Sequence, residues 1–71
     1  MKIITITTYP SMPGRYTVNC AEAGKRTFER DARDAGEAAA VALNYAVGEY
    51  VIVGCKAALD LIPPEMRYIR R

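Results

Sequence analysis

The first half of the chain alternates between hydrophobic and polar residues, a pattern typical of β-strands with one covered face. Residues 2–9 are rich in β-branched side chains and predict a first strand in which Ile4 and Ile6 share one face. Residues 15–22 alternate cleanly and predict a second strand, with Tyr16, Val18 and Cys20 on one face and Arg15, Thr17 and Asn19 on the other. The more charged residues 25–30 predict a third strand at an edge of the sheet. One face of this sheet is expected to be buried and the other partly wet.

A helix is predicted after these strands. Asp34 is placed to accept hydrogen bonds from the amides of the first turn, and Glu37 stands at the spacing of a capping box. An apolar stripe of mostly small side chains allows the helix to lie close on a sheet; it consists of Ala38, Val41, Ala42, Tyr45 and Ala46. Gly48 is expected to end the helix.

The last third of the chain predicts a strand and a short helix. Residues 49–53 include a continuous apolar run, which predicts an interior strand covered on both faces or carrying a half-exposed aromatic residue. Residues 56–62 predict a second helix, ended by two successive prolines, and residues 65–71 predict either a turn or a short fifth strand. The expected fold is therefore a single α+β domain over residues 1–71. It is a small antiparallel β-sheet with one Ala-rich helix packed on one face and a short C-terminal helix, in the order β-β-β-α-β-α.

The size and charge of the chain narrow its function. A domain of 71 residues has a net stability of only about 3–5 kcal/mol, and a deep pocket would remove much of its core. Ten basic and eight acidic residues give a net charge of +2, which is weak for a dedicated nucleic-acid binder. We therefore expect no cofactor and no small-molecule substrate, and we do not expect direct nucleic-acid binding.

Few residues suit catalysis. The chain has no histidine, which puts the usual zinc sets out of reach and leaves acid–base chemistry to scattered carboxylates. Cys55 follows a glycine and could lie near a helix N-terminus, but no base is evident beside it. Cys20 and Cys55 could form a disulfide, or both could be small apolar core residues in a reducing compartment. We favour the second interpretation, because the first strand leaves no room for a signal peptide. No apolar run approaches the ~18 residues of a membrane span. The prediction is a protein that is not an enzyme.

Arginine and tyrosine supply the candidate binding surface, because both anchor protein interfaces. Residues 25–33 form the most highly charged segment. We expect a solvated edge there, because acidic residues weaken the basic field, and an RNA-binding surface is the alternative. The C-terminal end is more uniformly basic. The candidate partner-binding residues are Tyr9, Arg15, Lys25, Arg26, Arg30, Arg33, Arg67, Tyr68, Arg70 and Arg71.

Several motifs together resemble the pattern of a known family. They are the segment PGRYTVN at 13–19, the turn at 24–25, the helix opening with its three alanines at 34–40, the run YVIVG at 50–54, and the leucine, proline and arginine positions at 59–67. With these motifs, from about Ile3 to Arg67, the chain resembles the fifth family of phage-encoded type I-F anti-CRISPR proteins.

The resemblance implies a small protein that disarms a type I CRISPR–Cas surveillance complex in the host bacterial cytoplasm. It implies binding to the Cas8-type large subunit once target DNA is loaded, so that the recruited nuclease-helicase is kept off. The chain departs from the family in a shorter link after the helix, a helix opening without proline and an arginine-rich end. Because loops usually carry binding specificity, the Cas7 backbone of a type I-E or I-C complex stays an alternative target.

A second resemblance is to HicB-type antitoxin domains. It rests on the order strand, Pro-Gly, strand, strand, followed by an acidic helix opening at Glu37. This resemblance implies a small domain that masks a toxin partner. Under either resemblance the chain acts by binding another protein.

Overall fold

A computed structural model describes most of the chain. The described residues are 2–9, 11–22 and 25–69, except for the side chains of Arg26, Tyr68 and Ile69. Their elements are β1 Lys2–Thr8, β2 Tyr16–Glu22, β3 Lys25–Ala32, α1 Ala35–Asn44, β4 Tyr50–Gly54, α2 Lys56–Leu59, a 3-10 helix Pro64–Met66 and β5 Tyr68–Ile69. The predicted α+β class and the order β-β-β-α-β-α are confirmed. At the C-terminal end, both a turn and a short fifth strand are present.

The strands form one sheet in the order β3-β2-β1-β4-β5. Two antiparallel hairpins join β1 to β2 and β2 to β3, and β4 pairs with β5 antiparallel. The sheet is mixed, which corrects the expectation of an antiparallel sheet, because β4 runs parallel to β1. The reason is that α1 returns the chain to the end of the sheet where β3 began, and β3 already points in the direction of β1. The prediction of an edge position for β3 is confirmed.

The helices cover one face of the sheet. Ile4 and Ile6 of β1 and Val18 of β2 are fully buried there. The small side chains of α1 let its backbone approach these residues, as predicted from the alanine-rich pattern. The buried residues that complete this core are Cys20, Ala32, Ala38, Ala39, Ala42, Tyr50, Ile52, Ala58 and Ile62. Both cysteines are free thiols, with Cys20 buried and Cys55 half-buried.

The two ends of α1 differ in how well they were predicted. Asp34 Oδ1 accepts from Glu37 N–H at 2.8 Å, as expected, while the Glu37 carboxylate accepts from Arg33 N–H at 2.9 Å. The helix ends at Asn44, before Gly48. It ends in a tighter turn, in which Tyr45 N–H and Ala46 N–H donate to carbonyls three residues back at 3.2 Å each. The Tyr45 ring stacks on Phe28, with centroids 3.9 Å apart, and the Tyr45 carbonyl accepts from Lys2 Nζ at 3.2 Å.

Strand β4 is covered on one face only, which corrects the expectation for this strand. Tyr50 and Ile52 are buried, whereas Val53 is 40% exposed. Tyr50 is not half-exposed: it is 1% exposed, and its hydroxyl finds no hydrogen-bond partner among the residues described. The reason is that α1 and α2 both lie on the same side of the sheet.

Candidate protein-binding surface

The face of the sheet opposite the helices has no second layer in the described part of the chain. Residues that alternate with the buried core point to this side, since successive side chains of a strand point to opposite faces. Ile3 is 43% exposed beside the fully buried Ile4. The molecule is correspondingly thin, with a smallest extent of 16 Å. We call this side the uncovered face.

An apolar strip crosses one half of the uncovered face. It consists of Ile3 on β1 with Val51 and Val53 on β4, and the parallel register sets Ile3 beside Val51. Ile3 and Val53 are the most exposed of the three. Their β-branched side chains have little rotamer freedom to lose on contact with another surface. The strip is therefore a preformed apolar patch.

A polar cleft occupies the other half of the uncovered face. It has a volume of about 360 Å³, and its walls are Thr7, Thr8, Tyr9, Thr17, Asn19, Glu29 and Asp31. The register explains this composition, because Thr7, Thr17 and Asp31 lie in one row across three strands. Asn19 Oδ1 is buried without a hydrogen-bond partner among the residues described. Hydroxyls, an amide and carboxylates make the cleft a site for hydrogen-bond donors.

Strand β3 places both of its carboxylates on the uncovered side of the sheet. Glu29 lies opposite Asn19 and Asp31 opposite Thr17, on the uncovered side. Arg30 lies opposite the buried Val18, on the side of the helices. By the same register, position 26 lies opposite Ala21 on the uncovered side. The basic residues of this mixed-charge segment are therefore divided between the two sides of the sheet.

The candidate partner-binding residues fall into three groups rather than one. Tyr9 and Arg15 face each other across the first hairpin, where Tyr9 N–H donates to Arg15 O at 2.9 Å. Lys25 is the first residue of β3, and Arg33 directly follows its last residue. At the rise of a strand, the two residues are roughly 25 Å apart. Arg33 is paired with Glu37 at 3.4 Å.

The third group lies at the opposite edge of the sheet. Arg67 is half-buried, and its Nε donates to the Ile62 carbonyl at 3.1 Å, so this side chain fastens the C-terminal segment to the fold. Tyr68 lies opposite Val51 in β5. With strands about 4.8 Å apart, β3 and β5 are roughly 19 Å from each other. The side chains of Arg26 and Tyr68, and the whole of Arg70 and Arg71, lie outside the described residues.

Residue type alone did not point to the apolar strip or the cleft. Ile3, Val51 and Val53 resemble core residues in a sequence, and only the absence of a second covering helix leaves them exposed. The number of predicted helices was the signal that could have indicated an exposed face. One alanine-rich helix and one short helix are enough to cover only one face of a sheet. Thr17 and Asn19 were correctly assigned to the second face by their alternation.

Neither a metal site nor a membrane-spanning helix is found among the described residues. Among the described residues, His, Cys, Asp and Glu side chains nowhere gather in threes that could hold a metal ion. None of the described helices has the length and apolar character to cross a membrane. Comparison with protein-family models and with curated proteins found no match.

Proposed function

We propose that this chain is a protein-binding inhibitor of a type I CRISPR–Cas surveillance complex. Its first target is the Cas8-type large subunit, where it would block nuclease recruitment, and the second is the Cas7 backbone of a type I-E or I-C complex. The site of action is the host bacterial cytoplasm. The resemblance over residues 3–67 supports this choice of target class. Obstruction requires a folded surface and no reacting group, which suits a thin domain.

The uncovered face is the observation that supports binding to a protein. The solvated face of a sheet that is covered on one side only is usually polar. Here the apolar strip of Ile3, Val51 and Val53 adjoins a polar cleft, and an apolar centre with a polar rim is the composition of protein interfaces. Burying the exposed part of Ile3 or Val53 is worth on the order of 1 kcal/mol each. The strip therefore contributes to affinity, and neighbouring anchors such as Tyr9 supply the rest.

A charge placed on the strip tests this proposal. In the double variant Ile3→Lys with Val53→Lys, an ammonium group would enter the interface unpaired, so binding should weaken at least tenfold. Ala40→Lys adds one lysine at an exposed position of α1 on the other side and serves as the control for a lysine placed outside the uncovered face. Circular dichroism checks that all three proteins are folded.

The readout is phage plaquing on hosts with type I-F, I-E or I-C immunity. Expression of the wild-type chain and of Ala40→Lys should restore plaques in at least one host, and the double variant should not. If the wild type restores no plaques in any host at high expression, the inhibitor proposal is rejected. If the folded double variant restores them fully, the uncovered face is not the interface.

The antitoxin alternative also has an observation in its favour. The described elements follow the order on which that resemblance rested, and Glu37 lies at the opening of α1. This alternative predicts a short toxin reading frame beside the gene, and a toxin whose activity is suppressed on co-expression. The two proposals separate cleanly, because an antitoxin would have no effect on plaquing in an immune host.

A further inference from the structure

The polar cleft of the uncovered face is built from two rows of side chains on three neighbouring strands. The first row is Thr7, Thr17 and Asp31, and the second row contains Asn19 and Glu29. Thr17, in the middle of its row, is only 8% exposed. The volume of about 360 Å³ lies at the lower end of the range for ligand sites, which suits one side chain of a partner protein.

Two polar groups of the cleft have no partner within the chain. Asn19 Oδ1 is buried without a hydrogen-bond partner among the described residues. The hydroxyl of Thr17 also makes no hydrogen bond to a described residue. Buried polar groups in folded proteins are normally satisfied, because an acceptor without a donor is unfavourable. Both groups therefore point to an occupant that donates hydrogen bonds.

The charge of the cleft favours a cationic donor. No lysine or arginine is among the described residues that line it, and Asp31 makes no ion pair with any described residue. Glu29 already has an interaction partner, so Asp31 is the carboxylate available to an occupant. Position 26 lies opposite Ala21, four residues along β2 from Thr17 and thus roughly 13 Å from the row of Asp31. Asp31 is therefore open to a cation from another molecule.

A guanidinium group meets both requirements. It is planar and carries several N–H donors in a fixed fork, so it can pair with a carboxylate through two bonds while its other N–H groups reach further acceptors. An ammonium group is a point charge without this fork, and a neutral amide lacks the charge. Arginine is also enriched in protein interfaces and among the residues that dominate their affinity.

We infer that the polar cleft receives the guanidinium group of an arginine side chain of the partner protein. The Asp31 carboxylate pairs with this group, and Asn19 Oδ1 and the Thr17 hydroxyl accept its remaining N–H groups. Contact of the partner with the neighbouring apolar strip keeps water away from the pair. This inference rests on the proposed protein-binding function and deepens it, because it names the residue type that the partner must present and the side chains that hold it.

A blocked amino acid tests the inference on the full chain. The probe is N-acetyl-arginine amide. Its controls are N-acetyl-citrulline amide, which has a neutral planar group on a stem of the same length, and N-acetyl-lysine amide. Each is titrated into the ¹⁵N-labelled chain at constant ionic strength. Saturable shifts should centre on Thr17, Asp31 and the side-chain amide of Asn19, and affinity should be about fivefold or more weaker for both controls.

Two carboxylate variants and one hydroxyl variant sharpen the test. Asp31→Asn keeps the shape of the side chain and should weaken arginine binding about fivefold or more. Glu65→Gln removes the same charge at an exposed position outside the cleft and should leave binding within about twofold. Thr17→Val removes the hydroxyl and should weaken binding about threefold. Absent shifts at the cleft, equal affinity for the citrulline probe, or equal weakening by Asp31→Asn and Glu65→Gln would overturn the inference.

The plaque assay separates failure of this inference from failure of the proposed function. If the wild type inhibits immunity and the folded Asp31→Asn variant inhibits equally well, the cleft inference is wrong and the inhibitor function stands. If the wild type inhibits no complex but the arginine probe occupies the cleft as described, the inhibitor function is wrong and the cleft inference stands.

Discussion

The two faces of the sheet differ in burial and in the role that we assign to them. Ile4 and Ile3 are neighbours in β1, yet Ile4 is fully buried under the helices and Ile3 is 43% exposed. The covered face contains the core, and the uncovered face contains the apolar strip and the polar cleft. In a chain with so thin a core, the same strands supply stability on one side and a surface for a partner on the other. Substitutions in β1 and β4 should therefore act according to which face they alter.

The largest effect is expected where β1 and β4 meet. Gly54 has a φ of +139°, and a Cβ there would overlap the backbone of Ile6. Gly54→Ala should cost about 4 kcal/mol or more, from backbone strain and steric overlap, and should leave the chain largely unfolded. Gly14→Ala is the matched control, because Gly14 has a φ of +85° with no atom within 4 Å of the added carbon. It should cost only about 1 kcal/mol.

Urea denaturation followed by circular dichroism measures both variants. A Gly54→Ala protein as stable as the wild type would show that the parallel pairing of β1 with β4 is wrong, and with it the division into two faces.

The most direct comparison of the faces uses two neighbouring isoleucines. Ile4→Ala removes fully buried side-chain atoms and should cost about 3 kcal/mol, within the usual range for a core cavity. Ile3→Ala should cost less than about 1 kcal/mol, because much of that side chain is already in water. Both values come from urea denaturation at several protein concentrations. Equal losses would mean that a second layer or a second copy covers the Ile3 face.

The N-terminal cap of α1 is expected to contribute to the stability of the helical layer on the covered face. Asp34→Ala removes the acceptor for Glu37 N–H and should destabilise the domain by about 1 kcal/mol. Asp60→Ala breaks only the exposed pair with Lys56, 2.7 Å long, and should cost less than about 0.5 kcal/mol. Thermal and urea unfolding give the difference. A larger loss from Asp60→Ala would show that α2, and not the cap of α1, fixes the helical layer.

The smallest effect is expected at the buried hydroxyl of Tyr50. Tyr50→Phe removes a polar group that has no hydrogen-bond partner among the described residues, and it leaves the ring in place. The variant should range from unchanged to about 1 kcal/mol more stable, because an unsatisfied buried hydroxyl is costly. A loss of more than about 1 kcal/mol would instead indicate that the hydroxyl has a partner in solution.

The sequence was informative about elements and weak on how they come together. Alternation in β1 and β2 identified the buried residues Ile4, Ile6, Val18 and Cys20, because a single covered face leaves a period of two. The parallel pairing of β4 was missed, since it depends on where a helix returns the chain. The end of α1 was misplaced: Gly48 was expected to end it, but the helix gives way to a tighter turn after Asn44.

The candidate surface was harder to predict than the fold. Residue type selected arginines and tyrosines, and the structure distributes them over a hairpin and two opposite edges of the sheet. The charge of β3 was predicted correctly as an edge feature, but the position of both its carboxylates on the uncovered side follows only from the register with β2. Exposed apolar residues such as Ile3 and Val53 cannot be distinguished from core residues without knowing what covers them.

Direct binding to a surveillance complex is the most decisive measurement. The purified chain would be passed over size-exclusion chromatography with purified type I-F, I-E and I-C complexes, each with and without target DNA. We expect it to co-elute stoichiometrically with at least one complex, and the Ile3→Lys, Val53→Lys protein to elute alone. If the folded wild-type chain co-elutes with none of these complexes in either state, the proposed function is contradicted.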